Sequence, residues 1–168
     1  QRLLPGSVKL VSGPGCPVCV TPDRYIDEAV ALARQGLVIA SFGDMLRVPG
    51  SRSSLEEERA AGSDIRAVYS PLDALQIAVE TGMETVFLAV GFETTAPVIA
   101  AAGMKALERK IANFSLLTAL RLVPPALQAL ISADTRLTGF LLPGHVSAVI
   151  GKPAYDFLIP HGLPGVIS

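Results

Sequence analysis

Five apolar runs of strand length recur along this chain, and each empties into a loop or turn that leads towards a helical pattern. The runs are residues 37–42, 65–69, 85–90, 114–120 and 139–142. The run at 37–42 is continuous rather than alternating, which is the mark of a strand covered on both faces. A sixth, at 8–12, reads as a short buried strand, and the tail at 155–168 ends in one more, Val166-Ile167-Ser168. Between the runs lie helical patterns. Ile26, Ala29, Val30 and Ala33 recur at spacings of three and four, with Gly36 as the stop. Ser70-Pro71 caps a helix that carries Leu72, Leu75, Ala78 and Val79 and stops at Gly82. Further helices are expected at 95–110 and from Pro124-Pro125 to Ile131. A short exposed one is expected at 54–61, with Glu56, Glu57 and Glu58 as a solvated face. Strand, helix, strand, helix predicts an α/β fold of parallel sheets flanked by helices. A change of composition at 110–113 suggests a second α/β unit there, against one continuous sheet.

The most distinctive loop is Gly13-Pro14-Gly15-Cys16-Pro17-Val18-Cys19, which holds both cysteines. Thr21 reads as the N-cap and Pro22 as the first residue of the helix that follows. The thiols therefore stand just ahead of a helix N-terminus, where partial positive charge favours thiolate. Two closely spaced cysteines point to metal or redox use in a reducing compartment, not to a disulfide framework. A thiol–disulfide exchange pair is one alternative. A Cys2His2 zinc site using His145 and His161 is another, although His161 sits in a plain Pro-His-Gly turn.

The other polar groups fall in a pattern. Cys16, Cys19, Asp44, Ser70, Glu93, Thr94, Thr95 and His145 each follow an expected strand. In a parallel sheet the carboxyl ends of the strands share one rim, where ligands bind, so these loops aim their groups at one edge or at two facing edges. Taken singly, each has an ordinary structural explanation. Asp44 suits a loop cap, Glu93 with Thr94 and Thr95 suits a helix start, and His145 suits a turn. No Gly-x-Gly-x-x-Gly or Walker lysine pattern occurs, which disfavours nucleotide binding. The net charge of −1 argues against nucleic acid or an acidic membrane surface as partner. No apolar run approaches the ~20 residues of a membrane span, and the opening residues do not read as a secretory signal. Half the residues are hydrophobic and 17% are charged, enough for a well-buried core.

Gly-Pro-Gly-Cys-Pro-Val-Cys-Val at 13–20 resembles the cysteine motif of the HypD family of [NiFe]-hydrogenase maturation factors. The loop at 43–51, with Asp44, Arg47 and Ser51, is similar to the family's second motif. Gly91-Phe92-Glu93-Thr94-Thr95-Ala96-Pro97 resembles the third, and Pro143-Gly144-His145-Val146-Ser147 the fourth. The resemblance implies a cytoplasmic scaffold that assembles and carries an Fe(CN)2CO unit with a HypC-like small maturation protein and a HypE-like cyanide donor. It implies two similar α/β domains around a cleft, 1–110 and a truncated 111–168. An exposed apolar patch on the cleft side would receive the small partner. Cys16 and Cys19 would bind iron or handle redox, since thiolates suit an iron with strong-field ligands. Asp44, Glu93, Thr94, Thr95 and His145 would line the cleft and position or protonate the diatomic ligands. The resemblance also implies a fragment of a longer protein, incompetent alone for the full reaction. Another cysteine would lie before Gln1, and the cysteines of a [4Fe-4S] cluster in a C-terminal domain beyond this chain. Leu120 stands where many members carry a histidine, so one cleft donor is missing. The competing classes are a thiol–disulfide oxidoreductase and a partner-binding α/β module.

Overall fold

The computed structural model describes residues 5–13, 15–133 and 136–168. The first helix, α1 (Asp23–Arg34), runs into β1 (Val38–Ser41). A 3-10 helix (Gly43–Arg47) and α2 (Leu55–Ala60) then lead to β2 (Ile65–Ala67). Helix α3 (Pro71–Thr81) crosses to β3 (Thr85–Gly91), and α4 (Ala96–Glu108) to β4 (Phe114–Leu120). The four strands are all parallel, in the order β2-β1-β3-β4.

Both faces of this sheet are covered, as the continuous apolar runs require. On one face Tyr25, Ile26, Ala29 and Val30 of α1 and Leu55 of α2 pack against Ile39, Val86, Leu88 and Val90. On the other, Ala74, Leu75 and Ala78 of α3 and Ile99 and Ala106 of α4 pack against Ala40, Phe87 and Ala89. Strand β3 lies at the centre and is buried at every position. Each large side chain so buried contributes ~1.5–3 kcal/mol. Ser70 caps α3 by accepting the Leu72 N–H, and Pro71 occupies the first turn. The helix stops at Gly82, whose φ of 66° is left-handed and suits glycine.

A second, smaller parallel sheet pairs β5 (Phe140–Leu142) with β6 (Gly165–Ile167). Its core joins α5 (Val123–Ser132), α6 (Gly144–Ile150) and a 3-10 run (Lys152–His161) through Val123, Leu127, Leu142, Val146, Tyr155 and Leu158. Strand β4 pairs with β3 from Phe114 to Leu120. The four-stranded sheet therefore runs past residue 110, and the change of sheet comes after Leu120.

Several local expectations are corrected. Residues 8–12 are not a strand; Val8, Leu10 and Val11 are exposed, because no neighbouring strand among the described residues offers them a ladder. Pro14 of the cysteine motif lies outside the described residues. Thr21 does not cap α1: its hydroxyl turns back and donates to the Pro17 carbonyl, and Pro22 takes the N-cap position. The run at 65–69 ends as a strand at Ala67, leaving Tyr69 almost fully exposed.

Glu58 is the clearest departure from the solvated face expected for α2. It is buried and accepts a forked pair of hydrogen bonds from Arg34 of α1, Nε to Oε2 at 2.9 Å and Nη2 to Oε1. Its neighbour Glu57 closes a capping box with Ser54. The Arg34 guanidinium, helped by the Ser53 hydroxyl, lowers the Glu58 pKa from about 4.5 to about 2. A depressed carboxylate pKa stabilises the fold above the unfolded value, and the contribution disappears as pH falls through the folded one. The Glu58→Gln protein is therefore expected to melt below wild type at pH 7, with the gap closing between about pH 4.5 and about pH 2. A gap that stays constant over that range in thermal melts would exclude this ion pair as its origin.

Candidate functional site

The order β2-β1-β3-β4 places a switch point between β1 and β3: the chain leaves β1 towards β2 on one side and later extends through β3 to β4 on the other. Crevices at the carboxyl ends of strands form at such points. The loops that leave there are 42–47, carrying Asp44, and 91–95, carrying Glu93, Thr94 and Thr95. Helix α1 runs back towards the start of β1, so its N-terminus and the cysteine turn ahead of it lie at this same rim.

The cysteine turn is anchored by its apolar and hydroxyl residues. Val18 packs against the α1-side core, and the Thr21 bond to Pro17 closes the turn from behind. This leaves Cys16 half-buried and Cys19 exposed, both as free thiols. The Cys19 S–H donates to Cys16 Sγ at 2.8 Å, and the Cys19 N–H donates to the same sulfur at 3.3 Å. Two donors from one residue thus converge on one acceptor. The Cys19 thiol, then its N–H, hold the Cys16 pKa below the ordinary thiol value, against partial burial; the Val18 N–H helps. The Asp44 carboxylate pushes the other way, so its charge reaches the Cys16 sulfur. Cys19, as the donor of the shared proton, is shifted upward. The pair is therefore asymmetric: Cys16 is the more acidic of the two thiols and Cys19 the less acidic.

Asp44 is exposed in the first turn of its 3-10 helix, whose Met45 and Leu46 anchor the loop in the core. Arg47 pairs loosely with Glu56 at 3.6 Å. Ser51 turns away to Asp27 of α1, to which its N–H and hydroxyl donate at 2.8 and 2.6 Å. Of the second motif, then, Asp44 is the member left exposed at the rim without a hydrogen-bond or ion-pair partner among the described residues.

The loop after β3 is built around Gly91. A Cβ there would lie 2.5 Å from the Thr95 Cβ, so only glycine lets Thr95 fold back over the strand end. Thr95 holds the N-cap position of α4 without a side-chain capping bond, and Thr94 is exposed. Glu93 behaves differently. It is buried, and its Oε1 accepts the Val123 N–H at 2.8 Å, which ties it to α5. Phe92 beside it packs into the core of the second unit. Sequence reasoning expected this glutamate to serve the start of its own helix; the contact thirty residues away leaves no local signal.

His145 is the second residue of α6 and is exposed, at the strand ends of the smaller sheet. A shallow hollow of about 440 Å³ beside it is lined by Gly144, Ser147, Ala148, Ile167 and Ser168, and holds none of the other candidates. His161 is exposed as expected. Ser70 is used up in capping α3. Among the described residues no three His, Cys, Asp or Glu side chains are grouped to hold a metal ion, so the Cys2His2 arrangement is not formed. The structure brings Cys16 and Cys19 together, sets Asp44, Thr94 and Thr95 in loops at the same rim, and assigns Glu93 to an internal contact.

Comparison with known proteins agrees with the motifs. The family model HypD, described as "Hydrogenase formation hypA family", matches residues 1–168. The chain is 46% identical to the hydrogenase maturation factor HypD of Rhodobacter capsulatus over 172 residues, covering 100% of this chain and 46% of that protein. It is 48% identical to the HypD of Rhizobium leguminosarum bv. viciae (94% and 43% covered) and 44% identical to that of Escherichia coli K12 (94% and 43%). The chain thus spans a little under half the length of these relatives. No helix among the described residues is long and apolar enough to cross a membrane.

Proposed function

Because the chain belongs to the HypD family of hydrogenase maturation factors, we propose that the cysteine turn and the rim at the β1/β3 switch point are where the intact protein handles the iron unit it helps to assemble. The observation that carries this is the convergence of both Cys19 donors on Cys16 Sγ. A thiol whose pKa is lowered by such donors ionises more readily, and the thiolate is a ligand for soft or strong-field iron. Cys16 is the primary donor and Cys19 the second, releasing its proton as iron binds. Asp44, in a loop at the same rim, positions a diatomic ligand. Thr94 and Thr95 supply hydroxyls at the same rim for the polar ends of diatomic ligands. His145, at the strand ends of the smaller sheet, would serve the same cargo from the other side of a cleft in the intact protein. Iron is the cargo, as an Fe(CN)2CO unit. A [4Fe-4S] cluster takes four thiolates as a rule, and this chain's two cysteines call for cysteines outside it. A HypC-like small partner would dock on the rim, where Val20 and Leu122 are exposed. A HypE-like protein would supply cyanide, and the site of action is the cytoplasm.

The test is residue-specific. Ferrous iron added anaerobically to the intact, reduced protein is expected to shield Cys16 and Cys19 from alkylation, read by peptide mapping. Unchanged labelling of both cysteines in saturating iron would overturn the assignment. The same thiol contact fits a second function, thiol–disulfide exchange through the Cys-Pro-Val-Cys pair. It predicts a dithiol reduction potential in the range of exchange proteins and no shielding by iron.

A further inference from the structure

Glu93 is a motif residue whose environment does not suit an exchanger of protons with solvent. It is 6% exposed, and the hydrogen bond it makes goes to the backbone of α5. That helix needs such a partner. Its N-cap, Leu122, offers no side-chain acceptor, and of its first three residues Pro124 and Pro125 carry no N–H. Val123 therefore presents the sole backbone donor of those three, and Glu93 Oε1 takes it. A carboxylate at a helix N-terminus also gains from the aligned peptide dipoles. On the other side, Glu93 is fixed by the loop between Gly91 and Thr95, and Phe92 is seated in the second unit's core beside Val123 and Leu127. The backbone adds one more tie at this place, Arg121 N–H to the Gly91 carbonyl at 3.0 Å.

We propose that Glu93 is a positioning residue: a latch that fixes the Thr94–Thr95 rim loop of the four-stranded sheet to α5, and so sets the second unit against the cysteine site. This rests on the functional assignment above only for its consequence in maturation; the latch itself stands on the contact. Its remaining oxygen, Oε2, is buried without a partner among the described residues, so Glu93 works through Oε1. A neutral acceptor of the same reach should therefore substitute for it. Glu93→Gln keeps the length and one carbonyl oxygen but cannot transfer a proton as a carboxylate does. Glu93→Asp keeps the acid and withdraws it by about 1.5 Å, the length of one carbon–carbon bond, beyond hydrogen-bond range.

The experiment uses the intact protein and two readouts, amide exchange at Val123 and hydrogenase activity in cells that depend on it. Val123 exchange is expected to rise about tenfold in Glu93→Ala and Glu93→Asp, the order of one hydrogen bond, and to stay near wild type in Glu93→Gln. Maturation should follow the same order, with Glu93→Gln retaining most of it and Glu93→Asp losing it. The reverse ranking, an active aspartate variant and an inactive glutamine variant, would overturn the proposal in favour of an acid–base role. So would unchanged Val123 exchange in Glu93→Ala. If wild type itself supports no maturation, the functional assignment fails, and the exchange data still decide the latch.

Discussion

Replacing Phe87 by alanine is expected to destabilise the intact protein by about 3–5 kcal/mol, the cost of deleting a large aromatic from a rigid core. Phe87 lies in the middle of β3, fully buried, among Ala40, Leu75, Ala78 and Ile99. These neighbours sit on packed helices and strands, which close only partly over such a hole. The Phe42 ring also meets it edge to face at 5.4 Å and 88°, a geometry worth a further ~0.5–1.5 kcal/mol. At roughly 2–4 °C per kcal/mol for a domain of this size, the midpoint should fall by roughly 6–20 °C. Phe87→Leu, which keeps most of the volume, should cost about 1–1.5 kcal/mol. Tyr69→Ala is the control: its side chain is 99% exposed, and the midpoint should hardly move. The effect reaches the site as well, because Phe42 is the residue from which the Asp44 loop departs. Equal midpoints for Phe87→Ala and Tyr69→Ala would contradict this packing.

The strands and helices that Phe87 organises were legible because burial on both faces writes a continuous apolar run, and each helix shows its buried stripe at spacings of three and four. What the sequence did not disclose were pairings between distant residues. Glu58 looks like its exposed neighbours until Arg34, twenty-four residues earlier, is placed beside it. The change of composition at 110–113 suggested a boundary, since composition is local, whereas the pairing that carries β4 into the first sheet is not. Residues 8–12 have the composition of a strand, but a strand also needs a neighbour. For the site, the rim was readable from the fold class alone: parallel strands put Asp44 and the Thr94–Thr95 loop at one edge. That Glu93 turns inward to Val123 was not, because the donor it satisfies lies thirty residues on, at the start of another helix.

Serine at Cys16 is expected to abolish hydrogenase maturation by the intact protein, and serine at Cys19 to reduce it severely. Serine keeps the size of cysteine and replaces a soft thiolate with a hydroxyl that stays protonated at neutral pH. The two changes are not equivalent. Cys16 receives both the S–H and the N–H of Cys19, so Cys16→Ser removes the acceptor on which the arrangement converges. In Cys19→Ser the new hydroxyl can still donate to Cys16, and the backbone N–H is untouched, so the remaining thiolate keeps its support and only the second ligand is lost. Iron bound per protein should therefore fall furthest in Cys16→Ser. Neither change should unfold the protein, because Cys19 is exposed and Cys16 only half-buried, while the turn is held by Val18 and by the Thr21 bond to Pro17. Thermal midpoints should stay within about 2 °C of wild type, as for other surface substitutions. The decisive comparison is iron content and hydrogenase activity for wild type and both variants, alongside their melting curves. Full maturation with serine at either position would refute a direct role for the pair. Lost maturation with a midpoint lowered as far as in Phe87→Ala would show that the thiols hold the turn together and do not serve the iron.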